Sequence, residues 1–418
     1  MRHHSYAEVT DLARELDPAE MEALERAGVP DPSPAPVRPR RGRGVPSIPP
    51  APTPEAGASR VRKGRGATVN PPNRFEHQET APFDDGWATL AADIAALPPL
   101  PTTLTRDSSR SVIAWNQSPD IGFDRAVNPY RGCEHGCVYC YARPSHATLG
   151  YSPGLDFETR LTFKPDVAEL LEKALRKPDY RARTLALGSN TDPYQPVERT
   201  LKLTRAVLQV LDRFNHPVSI VTKSAGVLRD LDILQSLARR DLVRVHLSVT
   251  TLDAALARVM EPRAATPARR LQAVEALARA GVPTAVLAAP MIPGLNDAEM
   301  ENILQAAAKA GAREAGYILL RLPNELKTIF VTWLQEHFPD RAGRVLDLIR
   351  QTRAGALSDA RFGRRLTGTG VYANLLARRF DRAARQWGLL DHGELDGSHF
   401  AVPEAARRSP AVAQMSLF

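Results

Sequence analysis

Cysteine is almost missing from this chain: three residues in 418, all between positions 133 and 140. An odd count with no secretory pattern excludes a disulfide framework. Aromatic residues are scarce at 6%. None interleaves the arginines near the N-terminus, so nothing there builds a base-stacking platform. Long apolar runs are absent too. The longest mainly apolar stretch, around 282–292, is too short to cross a bilayer, and no membrane association is expected. The opening Met-Arg-His-His-Ser-Tyr-Ala-Glu lacks the apolar core of a signal segment. A reducing cytoplasm is the expected location.

What is present is a core-forming composition, with 43% hydrophobic residues, 35 prolines and a net charge of +8. The length suggests two or three domains. The charge is compatible with a nucleic-acid partner without establishing one. Residues 1–70 read as a disordered Pro/Arg-rich basic tail, because proline and arginine clusters cannot bury enough apolar surface to offset chain entropy. A short helix at 18–27, with Asp17 as its cap, is the one element expected there. A solubilising linker is the preferred role, and an electrostatic tether to polyanions the sharper one. Residues 71–120 read as a lead-in that wraps the core, with a short helix near 88–96. From 121 to 325, apolar strand candidates at 123–128, 184–187, 218–222, 243–250, 282–288 and 317–322 alternate with amphipathic helices at 167–176, 201–214, 227–239, 268–280 and 300–310. That alternation implies a parallel sheet covered by helices. Residues 326–418 form a basic helical extension, with helices near 330–337, 341–350 and 372–386. The Gly-x-Gly at 368–370 reads as a turn, because no strand clearly precedes it.

The three cysteines carry the chemistry. Cys133-x-x-x-Cys137-x-x-Cys140 sits in Asn-Pro-Tyr-Arg-Gly-Cys-Glu-His-Gly-Cys-Val-Tyr-Cys-Tyr-Ala-Arg, residues 128–143. A cubane cluster has about four irons, so three thiolates would leave one iron open to a substrate or cofactor. Gly132 and Gly136 precede the first two cysteines, where positive φ and close backbone approach suit a loop wrapping a cluster. The competing reading is zinc, with His135 or His146 completing a Cys3His tetrahedron. Zinc sites usually split their ligands into two separated pairs, and the second pair is missing. Both histidines are read as hydrogen-bonding loop residues.

With Tyr139 as the aromatic before Cys140, the motif resembles the cluster motif of the radical S-adenosylmethionine (radical SAM) enzymes. The run through Tyr141, Arg143 and His146 is similar to the branch related to spore photolyase. The resemblance covers about half of the chain. It implies a [4Fe-4S] cluster and S-adenosylmethionine as cofactors, and a one-electron reductant of flavodoxin or ferredoxin type. It also implies reductive cleavage to a 5′-deoxyadenosyl radical acting on an unknown substrate, with nucleic acid as one class. The fold class is then α/β, a partial TIM-like (β/α)6 barrel between the basic tail and the helical extension. A monomer is expected. The contrasting reading is a non-catalytic iron–sulfur or zinc protein whose basic termini bind nucleic acid.

The resemblance also nominates cofactor contacts where strands end. Asn190, Thr191 and Asp192 fall in the polar loop after the second strand candidate, matched to the methionine amino group. Lys223 closes the third and is matched to the carboxylate and ribose. A lysine ending an apolar strand needs an anion or water in any case. Ser248 matches a cofactor-binding serine and Arg270 a carboxylate partner. Met291 lies in Ala289-Pro-Met-Ile-Pro-Gly294, where the family backbone packs on adenine. Tyr139 is matched to adenine contact, and with Tyr141 to a tyrosine pair implicated in hydrogen transfer. One departure stands out. The extra hydrogen-donor cysteine of spore photolyase has no counterpart, since all three thiols are committed to the motif.

Overall fold

The computed structural model describes residues 64–75, 100–390 and 393–404. The expected helices at 18–27 and 88–96, and the proline- and arginine-rich stretch before residue 64, lie outside those residues.

Ten strands occur among the described residues. They are β1 (Thr103–Arg106), β2 (Ile113–Trp115), β3 (Arg125–Val127), β4 (Tyr130–Arg131) and β5 (Arg160–Phe163). They continue with β6 (Leu185–Leu187), β7 (Val218–Thr222), β8 (Val243–Ser248), β9 (Thr284–Met291) and β10 (Glu314–Leu319). The main sheet runs β10-β9-β8-β7-β6-β3-β2. From β3 to β10 its six parallel strands lie in chain order, and β2 is antiparallel on the outer edge of β3. This is the expected (β/α)6 succession as an open sheet. Each strand contributes apolar side chains: Leu185 and Leu187, Val218 and Ile220, Val243, Val245 and Leu247, Val286 and Ala288 are all fully buried. Each such Val, Leu or Ile side chain stabilises the fold by about 1.5–3 kcal/mol relative to exposure. The crossover helices Leu203–Arg213, Leu231–Ala238, Pro267–Arg279 and Met300–Lys309 turn their apolar stripes onto this sheet.

Parallel pairing puts every strand's C-terminal end at one mouth. Gly188 follows β6, Lys223 follows β7, Val249 follows β8, Ile292 follows β9 and Leu320 follows β10. The site residues therefore converge for a topological reason.

A second, three-stranded sheet of order β1-β5-β4 was not anticipated from the sequence. Its strands are short and carry polar residues in Thr-Leu-Thr-Arg and Arg-Leu-Thr-Phe, without a strong apolar period. It matters because β4 and β5 pair antiparallel and close the base of residues 132–159, the loop that holds all three cysteines.

Two expected boundaries shift. Residues 64–70 were assigned to the tail, yet Arg65 and Ala67 are buried and pack against that loop. The helical extension also shares a core with it. Leu326, Phe330 and Trp333 on helix Leu326–His337 are fully buried with Val138 and Met260, and the Trp333 indole donates to the Val259 carbonyl at 3.1 Å. The Gly368–Gly370 segment follows a turn at 362–367, with both glycines at positive φ before helix Val371–Trp387.

Candidate functional site

The cysteine loop is shaped by backbone and by one buried ion pair. Gly132 and Gly136 have φ of 79° and 69°. A Cβ on Gly136 would lie 2.8 Å from the Glu158 carboxylate, and one on Gly132 would lie 2.9 Å from the Phe157 carbonyl. Both positions therefore require glycine. Cys133 N–H donates to Phe157 O at 2.9 Å and Val138 N–H to Met260 O at 2.9 Å. Cys133 and Cys137 are buried, and Cys140 is half-buried.

Arg143 is fully buried beneath the loop. It donates to the carbonyls of Cys137 at 2.8 Å, Gly136 at 3.1 Å, Gly154 at 2.8 Å and Pro153 at 3.2 Å, and to the Glu158 carboxylate. That accounts for all the donors a guanidinium has. Glu158, equally buried, also accepts from Gly66 N–H at 3.0 Å and Ala67 N–H at 2.8 Å. Arg65 donates to the Glu158 carbonyl at 2.8 Å. Arg74 clamps the other end of this strap to Glu325 at 2.9 Å. Sequence reasoning gave neither Arg143 nor Glu158 a role. The nearness of Arg143 to the cysteine motif was the only signal, and Glu158 had none.

The nominated contacts fall into two groups. Lys223 and Ser248 lie at the C-terminal ends of β7 and β8 with side-chain polar groups that no described residue takes up. The ammonium of Lys223 forms no hydrogen bond or ion pair with another described residue and lies 5.7 Å from the centre of the Tyr139 ring. Burial disfavours its charge, but the negative charges of a deprotonated Cys137 and of Glu261 outweigh that and raise its pKa. Ser248 is buried with no protein partner for its hydroxyl among the described residues, while its carbonyl accepts from Arg270. Asn190 is half-buried, and its amide is 3.4 Å from the Ser145 hydroxyl.

The second group is already occupied by protein. Thr191 donates to the Tyr130 carbonyl at 3.1 Å. Asp192 accepts from Thr222 Oγ1 at 2.7 Å, Lys223 N–H at 2.7 Å and Tyr194 N–H at 2.9 Å, and lies 3.2 Å from His135 Nδ1. Burial would raise its pKa, yet His135 and these donors hold it at about 2. Arg270, matched above to a carboxylate, meets one within the protein. It is fully buried and committed to Glu261 and to the carbonyls of Ala265 and Ser248. Met291 has no exposed surface, and its carbonyl accepts from Leu320 N–H at 2.9 Å.

Tyr139 is buried and donates to Glu261, with the Thr250 hydroxyl 3.2 Å away. Glu261 thus joins Tyr139, Thr250 and Arg270 behind the cysteines. Sequence analysis gave this glutamate no role. Tyr141 is half exposed, and its hydroxyl donates to the Ser189 carbonyl. The histidines considered for zinc face protein groups. His135 lies against Asp192, and His146 Nε2 is 3.0 Å from the Arg160 carbonyl. Burial, with the Asp192 carboxylate next, pushes the Cys133 thiol well up, and burial raises the Cys137 thiol to about 12. Without metal these thiols are therefore protonated, and metal binding must displace protons.

A loop offering three thiols and an uncommitted cation, at the C-terminal mouth of a parallel α/β sheet, defines a cofactor-binding enzyme site. Residues 127–307 match the Radical SAM superfamily model. The chain is 36% identical over 243 residues to an uncharacterised protein of Mycobacterium tuberculosis (strain ATCC 25618 / H37Rv), covering 57% of this chain and 72% of that one. An uncharacterised protein of Methanocaldococcus jannaschii is 29% identical over 178 residues, covering 43% of this chain and 64% of that one. Among solved structures, spore photoproduct lyase complexed with dinucleoside spore photoproduct aligns with a TM-score of 0.49 at 17% identity, over 68% of this chain and 79% of that one. Streptococcus suis SuiB bound to S-adenosylmethionine aligns with a TM-score of 0.35 at 13% identity, over 52% and 47%. The chain belongs to the radical SAM superfamily, a family of enzymes that use a [4Fe-4S] cluster and S-adenosylmethionine. No helix among the described residues is long and apolar enough to cross a membrane.

Proposed function

We propose that Cys133, Cys137 and Cys140 bind three irons of a [4Fe-4S] cluster, with S-adenosylmethionine completing the fourth. The observation that carries this reading is three thiols on a loop stapled by Arg143, facing an unpartnered Lys223. The donor set fits. Among the described residues no three Cys, His, Asp or Glu side chains converge tightly enough for one metal ion. A cubane does not need that convergence, because it spreads its thiolates over three irons. The Cys3His zinc alternative is less well supported, because no such group of ligands converges among the described residues.

When bound, the reduced cluster supplies the electron that splits the sulfonium C–S bond and yields the 5′-deoxyadenosyl radical. The chain's own residues bind and orient. Lys223 supplies the positive charge for the cofactor carboxylate, and Ser248 and Asn190 supply polar groups at the mouth. Tyr139, fixed by Glu261, presents its ring beside the cysteines. Thr191, Asp192 and Arg270 act through the loops they hold rather than by contact, and Met291 through its backbone. Burial of Cys133 and Cys137 keeps water from the thiolates. Electrons come from a flavodoxin- or ferredoxin-type donor. The net charge of +8 suits a nucleic-acid substrate, in which case affinity for nucleic acid falls steeply with salt. The segments fall as a tail, a lead-in, a radical SAM core and a helical extension that completes the cysteine-side packing.

Anaerobic reconstitution tests the reading. The expected result is a brown protein with about four irons per chain that forms 5′-deoxyadenosine with dithionite and cofactor, activity that Cys137→Ala abolishes. A colourless protein retaining zinc, or full turnover by Cys137→Ala, defeats it.

A further inference from the structure

The two tyrosines flanking Cys140 each lie beneath a cation whose charged group forms no hydrogen bond or ion pair with any described residue. Lys223 lies over Tyr139, and Arg321 lies over Tyr141, its guanidinium carbon 5.6 Å from the ring centre. The two cations come from different parts of the sheet. Lys223 follows β7, near the middle, whereas Arg321 lies just beyond β10, at the far edge. If Lys223 serves the cofactor, as proposed above, Arg321 remains for something else.

Polar groups around Arg321 are engaged by its neighbours. Arg353, buried beside it, takes the carbonyls of Leu319, Leu320 and Arg364. Arg365 takes Asp120 and the Ser118 hydroxyl, and Gly363 N–H fills the other Asp120 oxygen at 2.7 Å. Asp359 is held by Arg361. Arg321 itself makes no hydrogen bond or ion pair with any described residue. It is half-buried, so its charge is partly desolvated and lies near the guanidinium groups of Arg365 and Arg353, which Tyr141 and Asp120 offset only in part. Leaving a partly buried charge uncompensated is costly unless a ligand supplies the counter-charge. The surroundings suit a ligand as well. Tyr141 is 50% exposed with its hydroxyl tied down, so its ring face is fixed and open. Phe362, 59% exposed, lies under Arg365 at 4.7 Å. Apolar ring faces beside a free guanidinium make a floor and an anchor.

We propose that Arg321 and the Tyr141 ring form a subsite for an oxyanion, phosphate or carboxylate, carried by the substrate. Its position beside Cys140 would place that anion next to the reacting centre, and the planar fork of arginine matches both oxyanions in bidentate fashion. This inference rests on the cofactor reading above.

Equilibrium dialysis of the full-length, cluster-loaded chain against radiolabelled inorganic phosphate at low ionic strength tests it, with acetate as competitor. One saturable site is expected, its Kd raised at least tenfold in Arg321→Gln and less in Arg321→Lys, which keeps the charge and guards against a folding artefact. Arg313→Gln, an exposed arginine just before β10 and so at the opposite end of that strand, should bind like the parent. Displacement by equimolar acetate identifies a carboxylate subsite, and resistance to acetate a phosphate one. Equal phosphate binding by the parent and Arg321→Gln overturns the proposal, as does no saturable binding of either anion. S-adenosylmethionine binding measured on the same samples judges the cofactor reading separately, since its loss leaves the dialysis result intact.

Discussion

The parallel sheet and the cysteine loop lie against each other but are stabilised by opposite means. The sheet is held by apolar burial: Leu185, Ile220, Val245, Leu247 and Val286 contribute area and little direction. The loop buries Val138, Tyr139 and Phe157 too, but its backbone is positioned by polar contacts. It is fixed by a buried Arg143–Glu158 pair whose hydrogen bonds reach four carbonyls and two backbone N–H groups. Apolar packing tolerates small rearrangements, whereas hydrogen bonds specify positions. A scaffold can use the first, but a loop that sets the spacing of three thiols needs the second.

Substitution on each side separates the two modes, and the largest effect belongs to the loop. Arg143→Leu strands a fully buried carboxylate and should cost about 3–5 kcal/mol. It should also remove most iron from chains that remain folded, measured as iron per folded chain beside urea unfolding. Leu247→Ala in β8 should cost a comparable ~2–5 kcal/mol yet leave iron per folded chain at the parental level. If both variants lose iron equally, the loop has no special means of support.

A smaller effect comes from pH. His146 in the loop and His216 beside β7 are buried, and burial holds both near pKa 4, below the ordinary 6.5. Because the folded pKa is depressed, the unfolded chain binds more protons between these values. The stabilisation is therefore present above about pH 6.5 and is lost as pH falls toward 4, by at most ~3 kcal/mol per histidine. Tm should fall across that window, and His216→Gln should flatten part of the fall without altering iron content. A Tm independent of pH from 6.5 to 4 would refute the assignment.

The smallest expected effect is at Lys223. Lys223→Ala should weaken S-adenosylmethionine binding about tenfold, ~1.4 kcal/mol, with iron content unchanged. Unaltered affinity would remove Lys223 from the cofactor site.

The sheet was legible in the sequence because buried parallel strands read as short apolar runs between amphipathic helices, as with Val218–Thr222, where the expected and observed bounds coincide. The cysteines were legible through spacing. The polar architecture was not, because a buried ion pair has no periodicity. Glu158 is one glutamate among many until folding brings it to Arg143, Gly66 and Ala67. For the same reason the pairing of Arg270 with Glu261 was not foreseen. The short strands β1, β4 and β5 were missed because their pairing rather than their composition defines them. The packing of Trp333 against Val259 depends on contacts 74 residues apart in sequence.

Electron paramagnetic resonance of the anaerobically reconstituted, dithionite-reduced chain, with and without S-adenosylmethionine, tests the central claim most directly. A fourth iron left open by three thiols should give a reduced-cluster signal whose g-values shift when the cofactor is added. A signal indifferent to saturating cofactor, or none from protein shown to be folded, would contradict the account.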